Sequence, residues 1–105
     1  MIQNKTLSLT GLAAKAGKVA SGEFATEKAV KTGKGFLVLV AADASENTKK
    51  KCRNMCSYYE VPVYVLDVDK ERLGHAVGRE MRACLAVLDG ELANAIMKTI
   101  TGSDA

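Results

Sequence analysis

Two stretches of the chain are apolar without interruption, FLVLVAA at 36–42 and ACLAVL at 83–88. Runs of that length that do not alternate suit strands covered on both faces, as in a parallel or mixed sheet between helices. A third stretch, VPVYVL, begins around Pro62, where a missing amide hydrogen does least harm to a strand, and VAS at 19–21 is long enough only for an edge strand. Around these runs the apolar positions fall at helical intervals. Leu9, Leu12, Ala13 and Ala16 form one such set, with Gly17 placed to stop the helix. EFATEKAVKT follows Gly22 and closes at Gly33, and its Glu27 and Lys31 stand in the order that supports an i, i+4 ion pair. After Ser45, a capping residue, Cys52, Met55, Cys56 and Tyr59 repeat at helical spacing. Asp69 caps a short helix whose inward side is Leu73, Ala76 and Val77, ending at Gly78, and after Asp89-Gly90 a last helix puts Ala93, Ile96, Met97 and Ile100 on one face.

Strands alternating with helices imply an α/β fold: a three-layer α/β/α sandwich with a mixed, largely buried central sheet. A length of 105 residues allows one domain, 1–105, with the tail at 102–105 expected to be loose. No apolar run approaches the roughly 20 residues needed to cross a bilayer, and MIQNKTLSLTGLAAK lacks the basic start and apolar stretch of a secretory signal. A soluble, cytoplasmic protein without membrane contact is the expectation.

Charge adds a direction to this outline. The net charge is only +3, but residues 1–35 hold six lysines against two acids, while residues 62–105 hold five basic side chains against seven acidic ones. Such an asymmetry fits one face suited to a polyanion, or a lysine-rich face that is merely solvated. The three cysteines, Cys52, Cys56 and Cys84, lack the paired spacing of a zinc site, since only His75 could join them, so they read as core and no metal or cofactor is expected.

Enzymatic motifs fail on inspection. GKVASG has the glycine separation of a phosphate loop, but Glu23-Phe24 replaces the lysine and hydroxyl that would hold phosphate and magnesium. GKG at 33–35 precedes a strand instead of following one, His75 has no nucleophile at any local spacing, and Ser57 lacks a glycine frame. The chain is expected not to be an enzyme. Two features remain. In SGEFATEK a glycine-led turn enters a helix whose free amides attract phosphate oxygens, flanked by Lys28 and Lys31; an ordinary capped surface helix is the plain alternative. In RLGHAVGRE the helix ends at Gly78, and Arg79, Glu80, Met81 and Arg82 form a loop with two guanidinium groups and a flexible thioether, unless Met81 only packs locally.

The succession of SGEFATEKAVKTGKGFLVLVAADAS, YYEVPVYVL and KERLGHAVGREMRACLAVL resembles the ribosomal protein L-seven-Ae superfamily of kink-turn RNA-binding proteins, and in particular its bacterial YlxQ-like branch, over roughly residues 7–100. The resemblance implies binding of a sharply bent RNA at tandem sheared G·A pairs, with Gly22, Glu23, Phe24, Ala25 and Lys28 facing the RNA and Lys28 on the family's lysine. It implies too that the loop from Arg79 through Glu80, Met81 and Arg82 to Ala83 covers a protruding nucleotide. Structured RNA, including ribosomal RNA, and the ribosome or another ribonucleoprotein are the implied partners. Many members carry Thr-Asn-Glu where this chain has Glu23-Phe24-Ala25, and Phe24 and Ala25 offer no hydrogen bonds to guanine edges. That departure leaves open weaker binding, greater reliance on phosphates and shape, or a different RNA. A protein-interaction module of the same fold is the alternative from another class.

Overall fold

A computed structural model describes residues 2–102 of the chain, giving five helices and four strands in the order α1 (Ile2–Lys15), β1 (Val19–Ser21), α2 (Glu23–Lys31), β2 (Leu37–Ala41), α3 (Glu46–Tyr59), β3 (Val63–Leu66), α4 (Lys70–Ala76), β4 (Cys84–Val87) and α5 (Gly90–Thr101). The strands lie in the order β1-β4-β2-β3. β2 pairs parallel with β3, across the α3 crossover, and antiparallel with β4, while β1 pairs antiparallel with the other side of β4. The sheet is therefore mixed, one of the two arrangements that its unbroken apolar runs suit.

Every residue of β2 and β4 is buried. Leu37, Leu39 and Ala41 of β2, with Leu85 and Val87 of β4, join Ala13, Leu73, Ala93 and Ile96 beneath α1, α4 and α5. Val38, Val40, Cys84 and Ala86 point the other way, into a second core with Ala29 and Val30 of α2 and Cys52 and Cys56 of α3. This period-two division makes three layers, and each large aliphatic chain so buried contributes about 1.5–3 kcal/mol. All three cysteines are buried and free, and burial pushes the Cys56 thiol up to about 11. Among the described residues no group of three or more His, Cys, Asp or Glu side chains could hold a metal ion, and no helix is long and apolar enough to cross a membrane.

The helix ends follow local chemistry. Ser45, Asp69 and Asp89 each accept a backbone amide three residues on, from Thr48, Arg72 and Leu92. Pro62 sits just before β3, and its carbonyl accepts from Val38 N at 2.9 Å. Two expected faces differ. On α1 Ala13 is buried, but Leu12 is 57% exposed and Ala16 is exposed; the buried positions with Ala13 are Thr6 and Thr10. Thr10 Oγ1 donates to the carbonyl of Thr6, and the hydroxyls of Thr6 and Thr99 share a hydrogen bond at 2.6 Å, so two threonines satisfy one another where α1 meets α5. On α3 the inward positions are Thr48, Cys52 and Cys56, with Met55 half-buried, whereas Tyr59 is exposed. Of the tail, Gly102 is the left-handed cap of α5, and 103–105 lie outside the described residues.

Candidate nucleic-acid interface

β1 delivers the chain to Gly22, whose φ of 97° and ψ of 160° lie where side chains are strongly disfavoured. Gly22 N donates to the carbonyl of Cys84 at 2.9 Å, which ties the turn to β4, and its own carbonyl accepts from Thr26 N to start α2. No side chain caps this helix start. The amides of its first turn, at Glu23, Phe24 and Ala25, therefore have no intrahelical partner and suit an outside acceptor.

The loop after α4 arrives at the same place from the far end of the sequence. Gly78 takes φ 74°, and Arg79 N donates back to the carbonyl of Gly74. The next turn presses so closely on the helix that a Cβ on Gly74 would stand 1.6 Å from the carbonyl oxygen of Glu80. Arg82 N then donates to the carbonyl of Lys70, fixing the loop at both ends. The Arg82 side chain turns toward β1: Nε donates to Ser21 Oγ at 3.1 Å and Nη1 to the Met81 carbonyl at 2.8 Å.

These two segments enclose a shallow depression of about 480 Å³ lined by Ser21, Gly22, Glu23, Phe24, Ala25, Met81, Arg82 and Ala83. Its rim is apolar and open, for Phe24 is 81% and Met81 55% exposed. Ala25 and Ala83 are half-buried in its wall. The Glu23 carboxylate accepts from Thr48 Oγ1 at 3.4 Å, which links it to the start of α3. Lys28 lies one turn beyond Phe24, exposed and with no side-chain partner among the described residues. Lys31 differs: its ammonium donates to Glu27 at 2.6 Å, raising its own pKa and lowering that of Glu27, which Lys51 approaches as well. Glu80 belongs to a neighbouring depression with Glu71 and His75, which shares Met81 and Arg82 with the first. Arg79 is exposed and lines neither.

So most of the residues singled out in the sequence are brought together, Lys31 is engaged elsewhere, and Arg79 and Glu80 sit to one side. Sequence reasoning missed Ser21 and gave Gly74 no role. A serine at the end of an edge strand carries no pattern of its own; Gly74, inside a helical run where alanine would serve better, was a readable sign of close packing.

A mixed four-stranded sheet between helices, bearing this two-segment depression, places the chain in a known class of α/β/α fold. A protein of unknown function from Bacillus halodurans shares it with a TM-score of 0.88 and 37% identity, over 92% of this chain and 97% of that one. The Giardia lamblia 15.5kD RNA binding protein has a TM-score of 0.81 over 96% of this chain and 86% of its own, a likeness of fold at 22% identity. The family itself is given by sequence: residues 4–97 match the ribosomal protein L7Ae/L30e/S12e/Gadd45 family, and the chain belongs to it. Among its relatives are the RNA-binding protein YlxQ of Bacillus subtilis, 39% identical over 88% of this chain and 91% of that protein, and the RNA-binding protein YlxQ of Enterococcus faecium, 38% identical over 95% of each.

Proposed function

We propose that the chain is a non-catalytic RNA-binding domain of the cytoplasm, and that a sharply bent RNA of the kink-turn type docks in the depression between Gly22–Ala25 and Met81–Ala83. The observation that carries this reading is the meeting of an uncapped helix start and an exposed apolar loop on one small surface, with Lys28, which has no side-chain partner among the described residues, one turn along the same helix. Each answers a different part of a folded RNA. The free amides of α2 and the Lys28 ammonium hold phosphate oxygens at the bend, a contact that fixes position without reading sequence. Met81 and Phe24 offer apolar surface to a base thrown out of the stack. Arg82, held by Ser21 and the Met81 carbonyl, sets the distance between the two segments. Bent RNA is favoured because only its bent form meets both segments at once.

Phe24 and Ala25 present no hydrogen-bonding side chains, so selectivity here rests on shape and backbone rather than on guanine edges. Ribosomal RNA or another ribonucleoprotein is the setting that the family's ribosomal members favour, while the names of the relatives support RNA as the ligand. The reading is tested by titrating a labelled kink-turn RNA and a straight duplex of equal length at two salt concentrations. Tighter binding of the bent RNA, weakened by Lys28→Ala, is expected; equal affinity for both RNAs with no effect of that substitution would reject it. The exposure of Phe24 favours one second reading, a protein contact on the same rim. Partners retained in a pull-down after nuclease treatment would favour it.

A further inference from the structure

The outer surface of the layer made by α2 and α3 carries chemistry that the depression does not use. α3 ends in Tyr58 and Tyr59, whose rings meet edge to face with centroids 4.8 Å apart, and Tyr58 is 79% exposed. An aromatic side chain stabilises a fold chiefly through the area it buries, so packing does not account for Tyr58. Lys31 and Lys51, from two different helices, both approach Glu27, at 2.6 and 3.7 Å. One carboxylate is thus shared by two ammonium groups, and Lys28 adds a third cation one turn away. Together α2 and α3 bear six cations against three carboxylates, so this layer of the molecule retains positive charge; Glu60, the cap of α3, tempers it without cancelling it. On the outward side of α3, Lys50, Arg53, Asn54, Ser57 and Tyr58 follow one another at helical spacing, all exposed.

We propose that this face, from Lys31 past Lys51 to Tyr58 and Tyr59, is a second RNA contact, which takes an unpaired strand leaving the docked RNA beyond Lys28, its phosphates passing the lysines and a base stacking on Tyr58. The inference rests on the reading that RNA docks in the depression. Two arguments select this occupant. A cationic track ending in an exposed ring is what a single strand needs, because stacking requires a base with a free face and a paired stem offers only edges and backbone. The track is also continuous with the depression: α2 rises roughly 1.5 Å per residue, so Lys31 stands only about 10 Å along the helix from Phe24, within reach of a short tail.

The test uses fluorescence anisotropy on the full chain with a kink-turn RNA that ends flush and with the same RNA bearing a short unpaired uridine tail, placed at either end in turn. One of the tails tightens binding by at least about fivefold, the lower end of what stacking a base on an aromatic ring supplies. Tyr58→Ala abolishes that gain while leaving the flush RNA bound as before, and Tyr58→Phe keeps it. Tight binding of the flush RNA with no gain from either tail, or a gain that survives Tyr58→Ala, overturns the inference and leaves the docking reading standing. A flush RNA bound no better than a straight duplex overturns both.

Discussion

Arg82 lies across Gly22: its Cδ and Nε stand 3.9 Å from where a Cβ on that glycine would sit. That separation is ordinary contact, so a methyl group fits the space. The obstacle to any side chain is the backbone, at φ 97° and ψ 160°. Gly22→Ala is therefore expected to lower stability by about 1–3 kcal/mol, the cost of strained dihedrals, with the chain otherwise intact. Urea unfolding monitored by far-ultraviolet circular dichroism checks it, and an unchanged midpoint would contradict the strain argument.

Gly74 presents the opposite case. Its backbone is ordinary helix, but a Cβ would overlap the carbonyl of Glu80, so Gly74→Ala must push the loop away from α4. We expect a stability loss of about 1–3 kcal/mol together with weaker RNA binding, although residue 74 is buried and touches no ligand. Affinity measured well below the melting temperature separates the displaced loop from simple unfolding.

Lys28 is exposed and has no side-chain partner among the described residues, so its proposed contact is electrostatic and open to salt. Lys28→Ala should reduce the slope of log affinity against log salt by roughly 0.7–0.9, the loss of one phosphate contact, and weaken bent and straight RNA by similar factors at low salt. An unchanged slope would place Lys28 outside the interface.

Glu27 supplies a pH signature. The hydrogen bond from Lys31 comes first, then the charges of Lys31 and Lys51, in holding this carboxyl below its ordinary range. A carboxylate depressed in the folded state stabilises above its unfolded titration and loses that contribution as pH falls through its folded value. Glu27→Gln should thus lower the melting temperature slightly at neutral pH, the gap closing under acid conditions. Because the pair is solvated, the effect should also shrink in high salt. Thermal melts of both proteins at neutral and acid pH decide it.

The layers, the buried strands and the caps at Ser45 and Asp69 were legible in the sequence because each rests on patterns among neighbours a few residues away, whereas the cap at Asp89 was not read. Nor was the inward side of α1. Periodicity counts threonine as polar, and the partnership of Thr6 with Thr99, far apart in the sequence, helps make burial of that hydroxyl tolerable. Tyr59 misled for a related reason: helical spacing places it on the apolar stripe, but the stripe outruns the sheet it covers. In the candidate site, the glycine turn and the arginine loop could each be read locally. That Arg82 reaches Ser21 depends on β1 lying beside β4, a pairing no local pattern encodes.

The register of that pairing, Val19 with Val87 and Ser21 with Leu85, has a bearing on synthesis. The stretch holding Gly22 leaves the ribosome first and then waits for its other half, since β4 must emerge before it can slot between β1 and β2. A nascent chain cannot offer the two-sided surface piecemeal; a product cut short before β4 lacks it altogether.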